Sequence, residues 1–109
     1  MSINAFSPQG NTITFTANTA APAAVQAVGI GAGTNAYEIL NAGNVTVFLG
    51  TGNTAALANT AAVVVANSQP AIPILPGTDK VLTLGPNAYF TGITVSGTAV
   101  VYVTPGEGL

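Results

Sequence analysis

The chain has 109 residues, of which only Glu38, Asp79, Lys80 and Glu107 are charged, for a formal net charge of -2, and it contains no cysteine, histidine or tryptophan. One lysine and no arginine exclude the cationic footprint that nucleic-acid binding requires, and the absence of cysteine and histidine removes disulfides, the usual zinc sites and the Cys/His and Ser/His catalytic pairs. With 4% charged residues against about 25% in an average domain, the surface must be built from Thr, Asn, Ser, Gly and Ala, as suits a protein packed against neighbours.

The length fits one domain, residues 1–109. Its start, MSINAFSPQG, carries neither the basic region nor the apolar core of a secretory signal. The longest apolar run, residues 61–66, is too short to cross a bilayer. Synthesis in a cytoplasm and no membrane contact are the expectations.

In chain order, residues 11–16 (NTITFT) alternate strictly, with Ile13 and Phe15 on one face and Thr12, Thr14 and Thr16 on the other, which predicts a half-buried strand. A Thr-x-Thr-x-Thr face is also found in ice-binding arrays, but a single such strand reads as the solvated side of a sheet. Residues 23–28 form a weaker strand after Pro22, and the glycine-rich 29–35 a loop. Gly31-Ala32-Gly33-Thr34-Asn35-Ala36 matches the G-x-G-x-x-A dinucleotide fingerprint. That fingerprint needs a helix next, and residues 37–40 (YEIL) before Asn-Ala-Gly leave no room for one.

Residues 37–40 and 45–49 flank Asn41-Ala42-Gly43-Asn44, whose Asn and Gly tolerate left-handed backbone angles, and a hairpin is expected. Asn44-Val45-Thr46 is a glycosylation sequon without a secretory context. Residues 54–62 (TAALANTAA) are alanine-rich with room for one short helical turn, but they lack helical apolar spacing and the length of a stable helix and read as a loop.

The run QPAIPILPGTDKVLTL, residues 69–84, is the organising stretch, with prolines at 70, 73 and 76. Proline cannot donate a ladder hydrogen bond, so residues 71–75 form an edge strand or a polyproline-like ribbon. Leu75-Pro76-Gly77-Thr78 has proline and glycine where a type II turn needs them, and the chain then reverses into 81–84. The run also matches P-x-x-P, but it has strands on either side and no adjacent arginine, so an edge segment is its expected meaning. Residues 89–95 and 99–104, joined by Ser96-Gly97-Thr98, predict a second hairpin. About eight short antiparallel strands with no sustained helix indicate an all-β fold, a β-sandwich or jelly roll.

Chemistry is sparse. Two carboxylates could divide the roles of glycoside hydrolysis, but nothing in the spacing of Glu38, Asp79 and Glu107 brings two together. Lys80 beside Asp79 reads as a charged turn at a strand edge rather than part of a Ser-Lys pair. No enzyme, cofactor or metal site is expected. Several strands instead carry apolar side chains on both faces, Phe48 opposite Val45, Val47 and Leu49, and Val100 and Tyr102 opposite Val101 and Val103. That pattern suggests a contact surface beyond the core, with Phe48, Tyr102, Ile72 and Ile74 as candidate interface residues.

The C-terminal half resembles the small β-rich virion proteins of tailed bacteriophages through Leu75-Pro76-Gly77, Ser96-Gly97-Thr98 and Tyr102-Val103-Thr104-Pro105-Gly106. The resemblance implies a capsid cement or decoration protein on the outside of the virion head, bound to the major capsid protein as a homo-oligomer, expected to be a trimer. It carries no catalytic residues. Two other classes share some of these features: a glycan-binding module of a tail or adhesin, which would favour exposed aromatic platforms, and a small hydrolase, whose groups are mostly missing.

Overall fold

The computed structural model describes residues 6–29 and 35–107. The chain forms strands β1 (Ser7–Pro8), β2 (Ile13–Ala17), β3 (Val25–Gln26), β4 (Ala36–Asn41) and β5 (Val47–Gly52), helix α1 (Ala55–Ala61), and strands β6 (Ile72–Ile74), β7 (Asp79–Thr83), β8 (Tyr89–Ile93) and β9 (Ala99–Glu107). Sheet I is five-stranded, in the order β1-β9-β4-β7, with β2 beside β1 along the same edge of β9. Sheet II is four-stranded, in the order β3-β8-β5-β6. All of these pairings are antiparallel.

The pairs β2·β9, β3·β8, β4·β7 and β5·β6 are the rungs of one long antiparallel ribbon whose tip is the β5–β6 connection. Rolling that ribbon into two sheets gives the orders 2-9-4-7 and 3-8-5-6, which are those of a jelly roll. The all-β sandwich expected from the sequence is therefore the fold.

The core lies between the sheets. Phe15, Tyr37, Ile39, Val101 and Val103 from sheet I meet Val47, Leu49, Ile74 and Phe90 from sheet II. Tyr37 packs its ring against Phe90, centroids 5.1 Å apart. Its hydroxyl donates to the Gly85 carbonyl at 2.6 Å and accepts from the Ala88 amide at 3.2 Å, so the polar end of a fully buried aromatic is satisfied.

Both expected hairpins are corrected. The 42–46 turn carries the chain from β4 in sheet I to β5 in sheet II, and the 94–98 turn carries it from β8 in sheet II to β9 in sheet I. The first crossing is held by Asn41, whose fully buried amide donates to the carbonyls of Val45 and Ile74, both at 2.9 Å, and accepts from the Gly43 amide at 2.9 Å. In the second, Thr94 donates its hydroxyl to the Gly97 carbonyl and its amide to Asn18. Asn and Gly license a reversal, but the receiving sheet is chosen by burial.

Residues 54–62 are also corrected from loop to helix. Thr54 caps α1, its hydroxyl accepting from the Leu57 amide at 3.2 Å. The helix lies on the outer face of sheet II over Gly50 and Gly52, where a Cβ on Gly50 would collide with the Ala58 carbonyl and one on Gly52 would come within 2.7 Å of the Leu57 Cβ. Packing on a glycine floor, not helical periodicity, forms this element.

Other expectations agree. Residues 13–17 alternate with Phe15 and Ala17 buried and Thr14 and Thr16 exposed. β6 is an edge strand, and Leu75–Thr78 is a turn closed by the Thr78 amide on the Leu75 carbonyl at 3.3 Å, with Gly77 at φ 69°.

Candidate functional site

The outer face of sheet I is a grid set by strand register. On β9 it presents Val100, Tyr102 and Thr104; opposite them on β2 lie Thr16 and Thr14, and on β4 lie Leu40, facing Tyr102, and Glu38, facing Thr104. Next along, β7 places Asp79 opposite Leu40 and Val81 opposite Glu38. Leu40, Val100 and Tyr102 are exposed at 38%, 38% and 42% in the middle of this face. Threonines border the patch on one side: Thr12 shares a hydrogen bond with Thr104 at 2.7 Å, and Thr14 donates to the Val101 carbonyl at 3.0 Å.

The same register overturns the expectation that no two carboxylates meet. Glu38 and Asp79 are diagonal neighbours on adjacent strands, two residues apart in register, and they share a hydrogen bond. That bond, followed by partial burial and the charge of Asp79, raises the Glu38 carboxyl above its ordinary value of 4.5. Lys80 alternates with Asp79 and so stands on the other face of β7, opposite the core residue Ile39. Asp79 also borders an open groove of about 370 Å³ with Pro73, Leu75, Thr78 and Lys80, and Glu107 lies far along β9 opposite Ser7. Among the described residues no group of three or more His, Cys, Asp or Glu side chains is placed to hold a metal ion.

The four candidate interface residues part company. Tyr102 is exposed at the centre of the sheet I face. Phe48 is on the opposite side of the molecule, half-buried on the outer face of sheet II between Pro73 and Ile93. It helps line an open groove of about 420 Å³ with Val45, Pro76 and Val95 at the end of the sandwich where the 42–46, 75–78 and 94–98 turns gather. Ile74 is corrected: it is fully buried, inward of β6 against the core, and Ile72, sharing that face, is partly buried on the same cluster. Their proline-interrupted strand hid the inward alternation, because Pro73 takes the outward position between them.

Leu40 was missed by sequence reasoning: it is apolar beside the fully buried Ile39, and only the register shows that it flanks Tyr102. Val100 shares the Tyr102 face by strand alternation, as the sequence reading placed it. The dinucleotide match falls largely on residues 31–34, outside the described residues, and the segment after it is strand β4 where the fingerprint needs a helix.

Comparison of the chain with protein-family models, with characterised proteins and with solved structures finds no match.

Proposed function

We propose that this protein is a non-enzymatic component of a tailed-phage virion that binds the outside of the head as a homo-oligomer and reinforces the shell, a capsid cement or decoration protein. The observation that carries the reading is the exposed apolar patch of Leu40, Val100 and Tyr102 on a jelly roll with almost no charge. A contiguous apolar patch at the centre of an exposed sheet face is the feature that marks a contact surface, where scattered single hydrophobes would not. Jelly rolls occur in viral shells and in lectins alike, so the fold supports the reading without deciding it. The resemblance of the C-terminal half to phage virion proteins adds to it.

The test is to add purified protein to heads of the parent phage that lack it, and to measure occupancy and resistance of the particles to heat together. Saturable binding with a raised disruption temperature is expected, and light scattering of the free protein should give the mass of a trimer. Heads that never take up the protein, together with binding on a glycan array, would replace this reading with a carbohydrate-binding one.

A further inference from the structure

The two outer faces of the sandwich are not equivalent. That of sheet II is covered over Gly50 and Gly52 by α1, and the one threonine beneath it, Thr91, is fully buried and bonded to the Pro22 carbonyl. That of sheet I carries no covering element among the described residues, and its centre is apolar. Beside this centre stand two carboxyl groups, Glu38 and Asp79, diagonal neighbours on β4 and β7. The single lysine of the chain stands on the reverse side of β7.

We infer that the outer face of sheet I is the docking face, and that its occupant is a different protein whose surface sets an apolar patch over Tyr102 and places a Lys or Arg against Glu38 and Asp79. This deepens the capsid reading and rests on it for the identity of the partner. Charge complementarity selects the occupant. A second copy of this chain brings no arginine, and its only lysine projects from the opposite side of the strand that carries Asp79. A basic partner supplies a cation that complements two carboxylates standing side by side on this face.

Because the chain has no cysteine, an introduced thiol is a unique label. Thr16→Cys places one opposite Val100 on the sheet I face, and Leu57→Cys places one on α1, where Leu57 is 54% exposed. Both variants are first shown to melt as the parent chain does. Maleimide labelling is then followed for the free protein over a concentration series, and with separated heads and tails of the parent phage. Protection of the Thr16→Cys thiol on heads, with Leu57→Cys labelled at its free rate, is expected. Tyr102→Ala should weaken head binding about tenfold or more, and the double variant Glu38→Gln with Asp79→Asn about fivefold, the reach of an exposed ion pair.

Binding to heads with Leu57→Cys protected instead would overturn the face while leaving the capsid reading intact. Protection of Thr16→Cys by tails alone would remove the capsid reading and keep the face. Protection that grows with protein concentration alone would assign the face to a second copy, and full affinity of the neutralised double variant would overturn the basic partner. Unchanged labelling with every particle would end both.

Discussion

Asn41 is where a single side chain decides the path of the chain. Its fully buried amide satisfies the Val45 carbonyl and the Gly43 amide of its own turn and, out of reach of water, the Ile74 carbonyl of β6. Asn41→Ala leaves these backbone groups unpaired in the interior, and a loss of about 3 kcal/mol in denaturant unfolding is expected. An Asn before Ala-Gly-Asn reads in sequence as ordinary turn chemistry, so its burial was not legible there. Glu38 has the opposite character, a surface residue in an unfavourable setting. Its folded carboxyl holds a proton more tightly than in the unfolded chain. Just above pH 4.5 the folded state therefore binds more protons than the unfolded one, and stability falls as pH rises through that window. Glu38→Gln should flatten this slope and stabilise the protein at neutral pH by under about 1 kcal/mol, since solvent screens the pair. Melting temperatures of parent and variant from pH 4 to 7 would show it, and an unchanged slope would place the proton elsewhere.

At the scale of elements, local signals were read well and long-range ones were not. Pro73 marked β6 as an edge, Pro76-Gly77 marked the turn, and the Ile13/Phe15 alternation marked the inner face of β2. The edge strand β7 opens with Asp79 and Lys80, charges that discourage pairing with another chain. The partner of each strand was hidden, because neighbours in sequence mostly lie in different sheets and a turn motif does not encode which sheet receives the chain. Helix α1 was hidden for a related reason. It has a cap but little burial of its own, with Ala58 the one buried residue within it, and its seat consists of glycines far from it in any helical pattern. Gly50→Val should thus displace α1 while leaving the sheets intact. Hydrogen exchange is expected to show Ala55–Ala61 opening at much lower cost than β5 even in the parent chain, and faster still in the variant. Thr54→Ala should lower local protection by about 1 kcal/mol. Uniform protection across α1 and β5 would contradict this description.

The molecule is a rolled ribbon with a scarcely charged exterior, one outer face partly covered by its own helix and the other carrying no covering element among the described residues. Low charge gives little electrostatic repulsion between copies and neighbours, so the proposed attachment through Leu40, Val100 and Tyr102 should be driven mainly by apolar burial, at roughly 25 cal/mol per Å². Occupancy of heads is then expected to fall only severalfold between low and high salt, because screening touches the carboxyl pair and not the apolar centre. A steep salt dependence would mean that charge, not burial, holds the protein in place. The sequence reached the sandwich and the idea of an exposed apolar surface, with Tyr102 correctly placed outside. It put Ile74 on that surface and missed Leu40, because facing in a sheet depends on a register that only the assembled strands define. The most direct test of the account is electron cryomicroscopy of the parent virion at a resolution that shows strands. Density for this jelly roll on the outside of the head, with sheet I turned toward the shell and α1 toward solvent, is the predicted result; density on the tail, or a head contact made through α1, would contradict it.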